Sequence, residues 1–122
     1  MNKIVLIIVF CFFAIKIDAY TLQKYTLDLN YPWGMTWLNP AQLLITEKKT
    51  AQILLFDTSN NTSTIISHKI PVASWGQGGL LDIISEGNVV WVTCSIMKDK
   101  LLTTAVYKST LKNNSLVNTE LI

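Results

Sequence analysis

The sequence contains no arginine, and its ten basic residues are all lysines. They stand against eight acidic residues in 122 positions, which leaves a formal net charge of +2. A nucleic-acid-binding domain carries a concentrated basic surface, and only a guanidinium group clamps phosphate or carboxylate in a bidentate fork. We therefore expect neither a nucleic-acid partner nor an arginine-built anion site.

Cysteine and histidine are almost as scarce, with two cysteines and one histidine in the chain. Cys11 lies in a leader that we expect to be removed, so Cys94 has no partner for an intrachain disulfide and is predicted to be a buried strand residue. His68 is interpreted as a structural residue and not as a catalytic base. The sequence has no Cys/His cluster for zinc and no supported Ser-His-Asp set.

The first nineteen residues have the order of a secretory signal peptide. Lys3 supplies the positive charge, residues 4–15 form an apolar run, and Ala19 is a small residue suited to cleavage. Twelve residues of helix extend about 18 Å, well short of the roughly 30 Å hydrocarbon core, so a membrane anchor is the weaker alternative. We expect cleavage near Ala19, an exported chain (periplasmic or secreted), and no membrane span after cleavage.

From residue 20 onward the sequence predicts an all-β protein, because short apolar runs alternate with turn residues and no stretch has a helical period. The turns contain Asn-Pro, Asn-Asn or Gly-Asn pairs, which favour turns or left-handed backbone. The predicted strands are residues 22–29, 34–38, 42–47, 52–57, 64–67, 80–85, 89–96, 103–111 and 116–122.

The spacing of these strands favours β-propeller blades. Gly34 and Gly79 each open a strand and lie 45 positions apart, and residues 43–45 precede the similar triplet 89–91 by 46. Four strands recurring at roughly 40 to 50 residues are typical of blades. We expect residues 20–122 to form a partial propeller with antiparallel four-stranded blades at about 31–68 and 79–122. Residues 89–92 do not alternate, which predicts a strand buried on both faces.

Two motifs resemble those of a known family, the soluble PQQ-dependent sugar dehydrogenases, also called glucose/sorbosone dehydrogenases. Its first blade is similar to Tyr31-Pro32-Trp33-Gly34-Met35-Thr36-Trp37-Leu38 and to Gln42-Leu43-Leu44-Ile45-Thr46-Glu47-Lys48. Its Gly-Gln-Gly-Gly-Leu-Leu-Asp turn is similar to Trp75-Gly76-Gln77-Gly78-Gly79-Leu80-Leu81-Asp82. The resemblance covers residue 31 to about residue 84.

The resemblance implies a six-bladed propeller that binds pyrroloquinoline quinone (PQQ) and calcium and oxidises the anomeric carbon of an aldose sugar, with an electron acceptor. In the family a histidine base removes the anomeric proton, calcium polarises the quinone, and basic residues stabilise its reduced form. None of those groups maps onto this chain. Residues 85–88 are Ser-Glu-Gly-Asn, where the family usually has His-Pro-Asp-Phe.

Gln77 is the position that matches a site residue of the family, a glutamine lining the cofactor and sugar pocket. Its amide offers a donor and an acceptor, and the glycines around it allow the backbone to approach a planar ligand closely. The alternative is that Gln77 caps a turn between blades and the glycines serve packing alone. Lys48 and Lys49 are predicted to form a solvated turn, and Thr46-Glu47 a strand edge and turn, a pair that the family keeps near its cofactor face. Packing in blade cores is expected for the four tryptophans, Trp33, Trp37, Trp75 and Trp91.

Three functions remain open. The chain is expected to be the N-terminal part of a PQQ-dependent aldose dehydrogenase, inactive alone because the catalytic base and the metal ligands are absent. The alternatives are a non-catalytic, propeller-derived binding module and the remnant of a disrupted gene. Gln77 favours the enzyme, and the absent His-Pro-Asp-Phe turn favours the remnant.

Overall fold

The computed structural model describes residues 20–122, and the signal peptide predicted for residues 1–19 lies outside them. The described residues contain no helix able to cross a membrane. They form eight strands: β1 (Pro32–Asn39), β2 (Gln42–Glu47), β3 (Gln52–Asp57), β4 (Thr62–Ile66), β5 (Leu80–Glu86), β6 (Val89–Lys98), β7 (Leu101–Lys112) and β8 (Ser115–Leu121).

The strands form two four-stranded sheets, each with its strands in chain order. We call β1–β4 sheet 1 and β5–β8 sheet 2. Every neighbouring pair is antiparallel, as expected for strands joined by short turns. The predicted all-β class with two antiparallel four-stranded sheets is confirmed. β2 and β3 have the predicted bounds, and each end of the other six lies within two residues of its prediction.

The strand predicted at residues 22–29 is wrong. The segment forms no strand and belongs to neither sheet. Tyr25, Leu27 and Leu29 are half-buried and pack on a face of sheet 1, and the Tyr25 ring meets the edge of Phe56 at a centroid distance of 5.3 Å. The alternation that predicted a strand comes from covering an apolar face, and it carries no information on backbone pairing.

The two sheets pack face to face, and the main core lies between them. Sheet 1 contributes Leu44, Ile53 and Ile66, and sheet 2 contributes Val90 and Val92, all of them buried. β1 and β5, the first strands of the two sheets, lie against each other. The junction is therefore built by one face of each sheet, and each sheet has a second, outer face directed away from the junction.

The burial predicted for residues 89–92 holds on one side of the strand only. Val90 and Val92 are fully buried against sheet 1, whereas Val89 and Trp91 point to the outer face of sheet 2 and are half-buried. No described element covers that face. The prediction of two buried faces is wrong here because, among the described residues, sheet 2 has a neighbour on one side.

The prediction that the tryptophans pack in the cores is also wrong for three of the four. Trp33, Trp37 and Trp75 are exposed by 59, 56 and 60 %. Trp37 pairs with Leu43 across β1 and β2 and so lies on the outer face of sheet 1, and Trp75 stands in the loop between the sheets. The residue type alone does not reveal that these tryptophans face away from the junction.

Each sheet has the same irregularity at the start of its first strand. In sheet 1 the pairing skips from Pro32 to Met35, so that Trp33 and Gly34 face the single residue Thr46. In sheet 2 it skips from Leu80 to Ile83, so that Leu81 and Asp82 face Thr93. Both are bulges, with two residues opposite one, and they define which positions of the two sheets are equivalent.

This equivalence corrects the repeat predicted from the sequence. Thr46 and Thr93 lie 47 positions apart, and Gly34 and Asp82 lie 48 apart, against the predicted 46 and 45. Leu44 faces sheet 2 whereas Val90 faces sheet 1, so the triplets compared in the sequence are out of register by one residue. A shift of one residue exchanges the faces of a strand, and apolar character alone does not reveal it.

Candidate functional site

Gln77 lies in the loop that leads from sheet 1 into sheet 2. The Gly78 N–H donates to the Trp75 carbonyl at 2.9 Å, which closes a turn with Gly76 and Gln77 at its centre. Gly76 has a φ of +56°, a conformation that glycine adopts without steric cost. Gln77 is exposed at the tip of this turn, so its amide is free to meet a ligand from solvent.

Two lysines of sheet 1 hold this loop in place. The Lys49 ammonium donates to the Gly76 carbonyl at 2.6 Å, and the Lys48 carbonyl accepts from the Leu80 N–H at 3.0 Å. The predicted turn is present, but it braces the Gln77 loop and is not simply solvated. The sequence carries no signal for these contacts, because Lys49 and Gly76 are 27 positions apart.

The three glycines around Gln77 were predicted to let the backbone approach a ligand closely. At two of them the close neighbour is another part of the protein. At Gly79, with a φ of +152°, a Cβ would overlap the Lys48 backbone, and at Gly78 it would lie 2.5 Å from the Ala73 carbonyl. Only Gly76 faces open space. Packing therefore accounts for Gly78 and Gly79, and Gly76 remains available to a ligand.

The two family-like motifs meet at Lys48. Its carbonyl bonds to the loop of the second motif, and its ammonium lies 4.0 Å from the centre of the Trp33 ring in the first motif. A cation over an indole face is attracted by the ring quadrupole. The fold thus brings together motifs that are separated in the sequence, on the side of the junction where Gln77 is exposed.

Thr46 and Glu47 are the last two residues of β2, next to the turn that follows it, and both are buried. Glu47 is 3 % exposed, and its two carboxylate oxygens accept from the Asn30 N–H at 2.6 Å and from the Thr50 hydroxyl at 2.7 Å. A carboxylate committed in this way holds the chain and is not free for acid-base chemistry. Among residues 20–122 no three acidic, histidine or cysteine side chains cluster as metal ligands.

His68 has a structural role in this part of the chain. Its Nε2 lies 2.8 Å from the Ala51 carbonyl, which can only accept, and its Nδ1 lies 3.3 Å from the Ile70 N–H, which can only donate. The Ile70 N–H therefore donates to Nδ1, and Nε2 donates to the Ala51 carbonyl. The interpretation of His68 as a satisfied structural residue agrees with these contacts.

Cys94 is a buried strand residue, as predicted. It faces the core between the sheets, and burial raises the pKa of its thiol to about 11. A thiol that stays protonated is a poor nucleophile, so Cys94 is not a reactive group at neutral pH.

A groove of about 650 Å³ lies on the outer side of sheet 1 and is not part of the Gln77 region. Its lining includes Asp28, Glu47, Gln52 and Ser63. The described residues leave Gln77 on an open surface, at the end of the junction that carries Lys48 and Lys49.

Comparison with known proteins gives a family and a fold. A family model described as Glucose / Sorbosone dehydrogenase matches residues 29–122. A search of curated proteins found no match. A crystal structure of a glucose dehydrogenase superposes on 76 % of this chain and 29 % of its own length, with 26 % identity and a TM-score of 0.68.

Two further solved structures share the fold. The PQQ-bound form of an aldose sugar dehydrogenase from Streptomyces coelicolor has a TM-score of 0.72 at 20 % identity, over 84 % of this chain and 33 % of its own. The apo-form of the soluble aldose sugar dehydrogenase from Escherichia coli has a TM-score of 0.67 at 23 % identity, over 77 % and 29 %. The chain spans about a third of these structures, and its two sheets are blades of their propeller fold.

Proposed function

The chain belongs to the glucose/sorbosone dehydrogenase family, and we propose that its two sheets serve a PQQ-dependent dehydrogenase that oxidises aldoses at the anomeric carbon. The observation that carries the proposal is the family match over residues 29–122, which includes all eight strands. The Streptomyces coelicolor neighbour, a PQQ-bound aldose sugar dehydrogenase, supports the cofactor and the substrate class.

The Gln77 loop is the part of this chain that fits such a site. A planar, polar cofactor needs hydrogen-bonding groups at its edge, and the exposed Gln77 amide supplies both a donor and an acceptor. The Lys49 contact to Gly76 holds the turn that presents this amide. When bound, PQQ supplies the redox chemistry by accepting the hydride of the sugar carbon.

Calcium is proposed only through the family resemblance. Within residues 20–122 the Glu47 carboxylate is already committed to Asn30 and Thr50, and that range has no metal-ligand cluster. We assign no step to calcium in these two sheets.

We propose that the two sheets do not catalyse sugar oxidation by themselves. The one histidine of the chain has both ring nitrogens occupied by backbone groups, so it cannot take the anomeric proton. Loss of a general base alone lowers a rate by about 10²–10⁴-fold. The purified chain, given PQQ, calcium, glucose and a dye acceptor, should therefore leave the dye oxidised.

A chimera tests the positive part of the proposal. Residues 31–121 of this chain replace the corresponding sheets of the Streptomyces coelicolor aldose sugar dehydrogenase, and aldose-dependent dye reduction is measured with PQQ and calcium. We expect an active chimera in which Gln77→Ala lowers turnover by about ten- to a hundredfold, at or below the range of about 10²–10³-fold for a lost oxyanion-hole donor.

Gln52→Ala is the matched control, because Gln52 lines the groove on the other side of sheet 1. It should leave turnover unchanged, and circular dichroism should show all three chimeras equally folded. A Gln77→Ala chimera with full activity would reduce Gln77 to a turn residue.

The second candidate is a non-catalytic binding module, favoured by one observation. Gln77 stands on an open surface, and the Glu47 and His68 side chains are committed to structural hydrogen bonds. A folded chimera without any aldose oxidation would support this candidate against the enzyme.

We also propose that the chain is exported and cleaved near Ala19, from the charge and apolar pattern of residues 1–19. Mass spectrometry of the exported protein should find a first residue close to Tyr20. A chain that keeps its leader and stays in the membrane fraction contradicts the proposal.

A further inference from the structure

The turn that carries Gln77 is fixed to sheet 2 at its base. The Ala73 N–H donates to the Ser95 carbonyl at 2.7 Å, and the Ser95 N–H donates to the Gly79 carbonyl at 2.9 Å. These two bonds join both ends of the turn to β6. Gly78 packs so closely that a Cβ there would lie 2.5 Å from the Ala73 carbonyl. The place of the turn in the molecule is therefore decided by sheet 2.

The tip of the turn is less restricted than its base. Gly76 has a positive φ of +56°, whereas Gln77 does not have a positive φ, which is the pattern of a type II′ turn. Glycine adopts positive and negative φ with similar ease, and a Cβ at Gly76 would meet no atom within 4 Å. Steric contacts therefore leave the tip more than one accessible conformation.

One peptide group at the tip decides the direction of Gln77. This central peptide of the turn consists of the Gly76 carbonyl and the Gln77 N–H, and the turn types differ in its orientation. Because a peptide group is planar, a rotation that moves the carbonyl also moves the Gln77 N–H and the Cα that bears the side chain. The orientation of the Gln77 amide therefore follows that of the Gly76 carbonyl.

Lys49 bonds to this carbonyl. Its ammonium donates to the Gly76 oxygen at 2.6 Å, and a hydrogen bond from a charged donor is stronger than one between neutral groups. Lys49 lies in the turn between β2 and β3, so the bond comes from sheet 1. Sheet 2 thus holds the base of the Gln77 turn, and a side chain of sheet 1 holds its tip.

We propose that Lys49 is a positioning residue for sugar oxidation, because its ammonium fixes the central peptide of the turn and so orients Gln77 toward the cofactor and the sugar. The inference rests on the proposed function and adds to it a residue that acts only through Gln77. Any side chain that donates to the Gly76 carbonyl should serve in place of Lys49.

NMR relaxation of the purified chain tests the orienting bond without any reaction. In Lys49→Met the heteronuclear NOE of the Gly76 and Gln77 amides should fall, whereas the Gly79 amide at the base should keep its value. Lys49→Arg retains a donor and should leave the tip ordered. Lys98→Met is the matched control, since it removes the same charge from an exposed position at the end of β6. An equally ordered tip in Lys49→Met overturns the inference.

Kinetics of the chimera with the Streptomyces coelicolor enzyme tests the consequence for the reaction. Lys49→Met should lower aldose turnover by about three- to tenfold, the change in population that one hydrogen bond supports. Lys49→Arg should restore turnover, and Lys98→Met should leave it unchanged. A Lys49→Met chimera with full turnover, or a Lys49→Arg chimera as slow as Lys49→Met, overturns the inference.

The double variant shows whether Lys49 acts through Gln77. Because the lysine has no other route to the reaction, Lys49→Met added to Gln77→Ala should be no slower than Gln77→Ala alone. Losses that multiply in the double variant contradict the inference, since they require a direct effect of the lysine. If the chimera with the native residues is inactive, the proposed function fails, and the NMR experiment still decides whether Lys49 orients Gln77.

Discussion

Sheet 1 and sheet 2 share a hydrogen-bonding arrangement at the bulge of their first strands, and they differ in what closes over it. In sheet 1 the Thr46 hydroxyl is fully buried and bridges Gly34 to sheet 2. In sheet 2 the Thr93 hydroxyl bonds only to the backbone of Asp82 beside it. Gly34 accordingly has no room for a side chain, whereas Asp82 is exposed.

The residues that follow these threonines in the two strands also differ in what packs on them. Glu47 follows Thr46 and lies on the outer face of sheet 1, where Asn30 and Thr50 satisfy its buried carboxylate. Its equivalent Cys94 lies in the apolar junction. The comparison shows that one local backbone design accepts a charge or an apolar group according to what packs on that face.

The largest effect is expected where the loop enters sheet 2. Gly79→Ala should lower the free energy of unfolding by about 4 kcal/mol, since a Cβ there requires a disfavoured φ and overlaps the Lys48 backbone. Gly87→Ala is the matched control, because Gly87 has a positive φ but no neighbour within 4 Å; it should cost about 1 kcal/mol. Urea unfolding followed by circular dichroism measures both, and equal losses would refute the role of the contact.

The next largest effect compares substitutions at the two bulges. Gly34→Ala should cost about 3 kcal/mol, because the new methyl meets the Asp82 backbone in the junction. Asp82→Ala, at the equivalent and exposed position of sheet 2, should change stability by only about 0.5 kcal/mol. The same unfolding experiment applies. If Gly34→Ala is as well tolerated as Asp82→Ala, the sheets are not held as closely as described.

A smaller effect separates the two threonines. Thr46→Val keeps the shape but leaves the buried Gly34 N–H without an acceptor, at a cost of about 2 kcal/mol. Thr93→Val at the open bulge should cost about 0.5 kcal/mol, since water replaces the hydroxyl there. Both free-energy costs are measured from the midpoints of urea unfolding, with the m-value unchanged. Equal costs would show that the junction adds nothing to the local bond.

The last effect is absent at neutral pH and concerns Cys94. Burial raises the pKa of its thiol to about 11, and in the unfolded chain the thiol ionises near 8.5. The unfolded state therefore binds fewer protons between these values, so this contribution to stability is complete below about pH 8.5 and declines toward pH 11. Unfolding measured from pH 7 to 10.5 should show a decline that Cys94→Ala reduces. Identical pH dependence in the two proteins would contradict it.

The sequence predicted the strands well because their signals are local. Turn pairs such as Gly87-Asn88 and Asn113-Asn114 lie between short apolar runs, and the strands of both sheets begin and end within two residues of the predicted bounds. The family-like motifs around Gly34 and Gln77 were equally visible. The leader of residues 1–19 stays a prediction, since it lies outside the described residues.

The errors in the predictions all concern which surface a side chain meets. The alternation of Tyr25, Leu27 and Leu29 predicted a strand, although the segment only covers a face of sheet 1. The apolar triplets predicted a repeat that is one residue out of register. A pattern of period two shows that one face is buried, but it does not show which face or by what.

The sequence by itself therefore determined an all-β chain of two four-stranded units with the motifs of its family, because turn chemistry and alternation act between near neighbours. The tertiary structure alone decided that Lys49 reaches the Gln77 loop and that Thr46 bridges the sheets, through contacts between residues 27 and 35 positions apart. It also decided that Asp82 in sheet 2 occupies the position equivalent to Gly34 in sheet 1. Such contacts depend on how two sheets stack, and no local preference encodes that geometry.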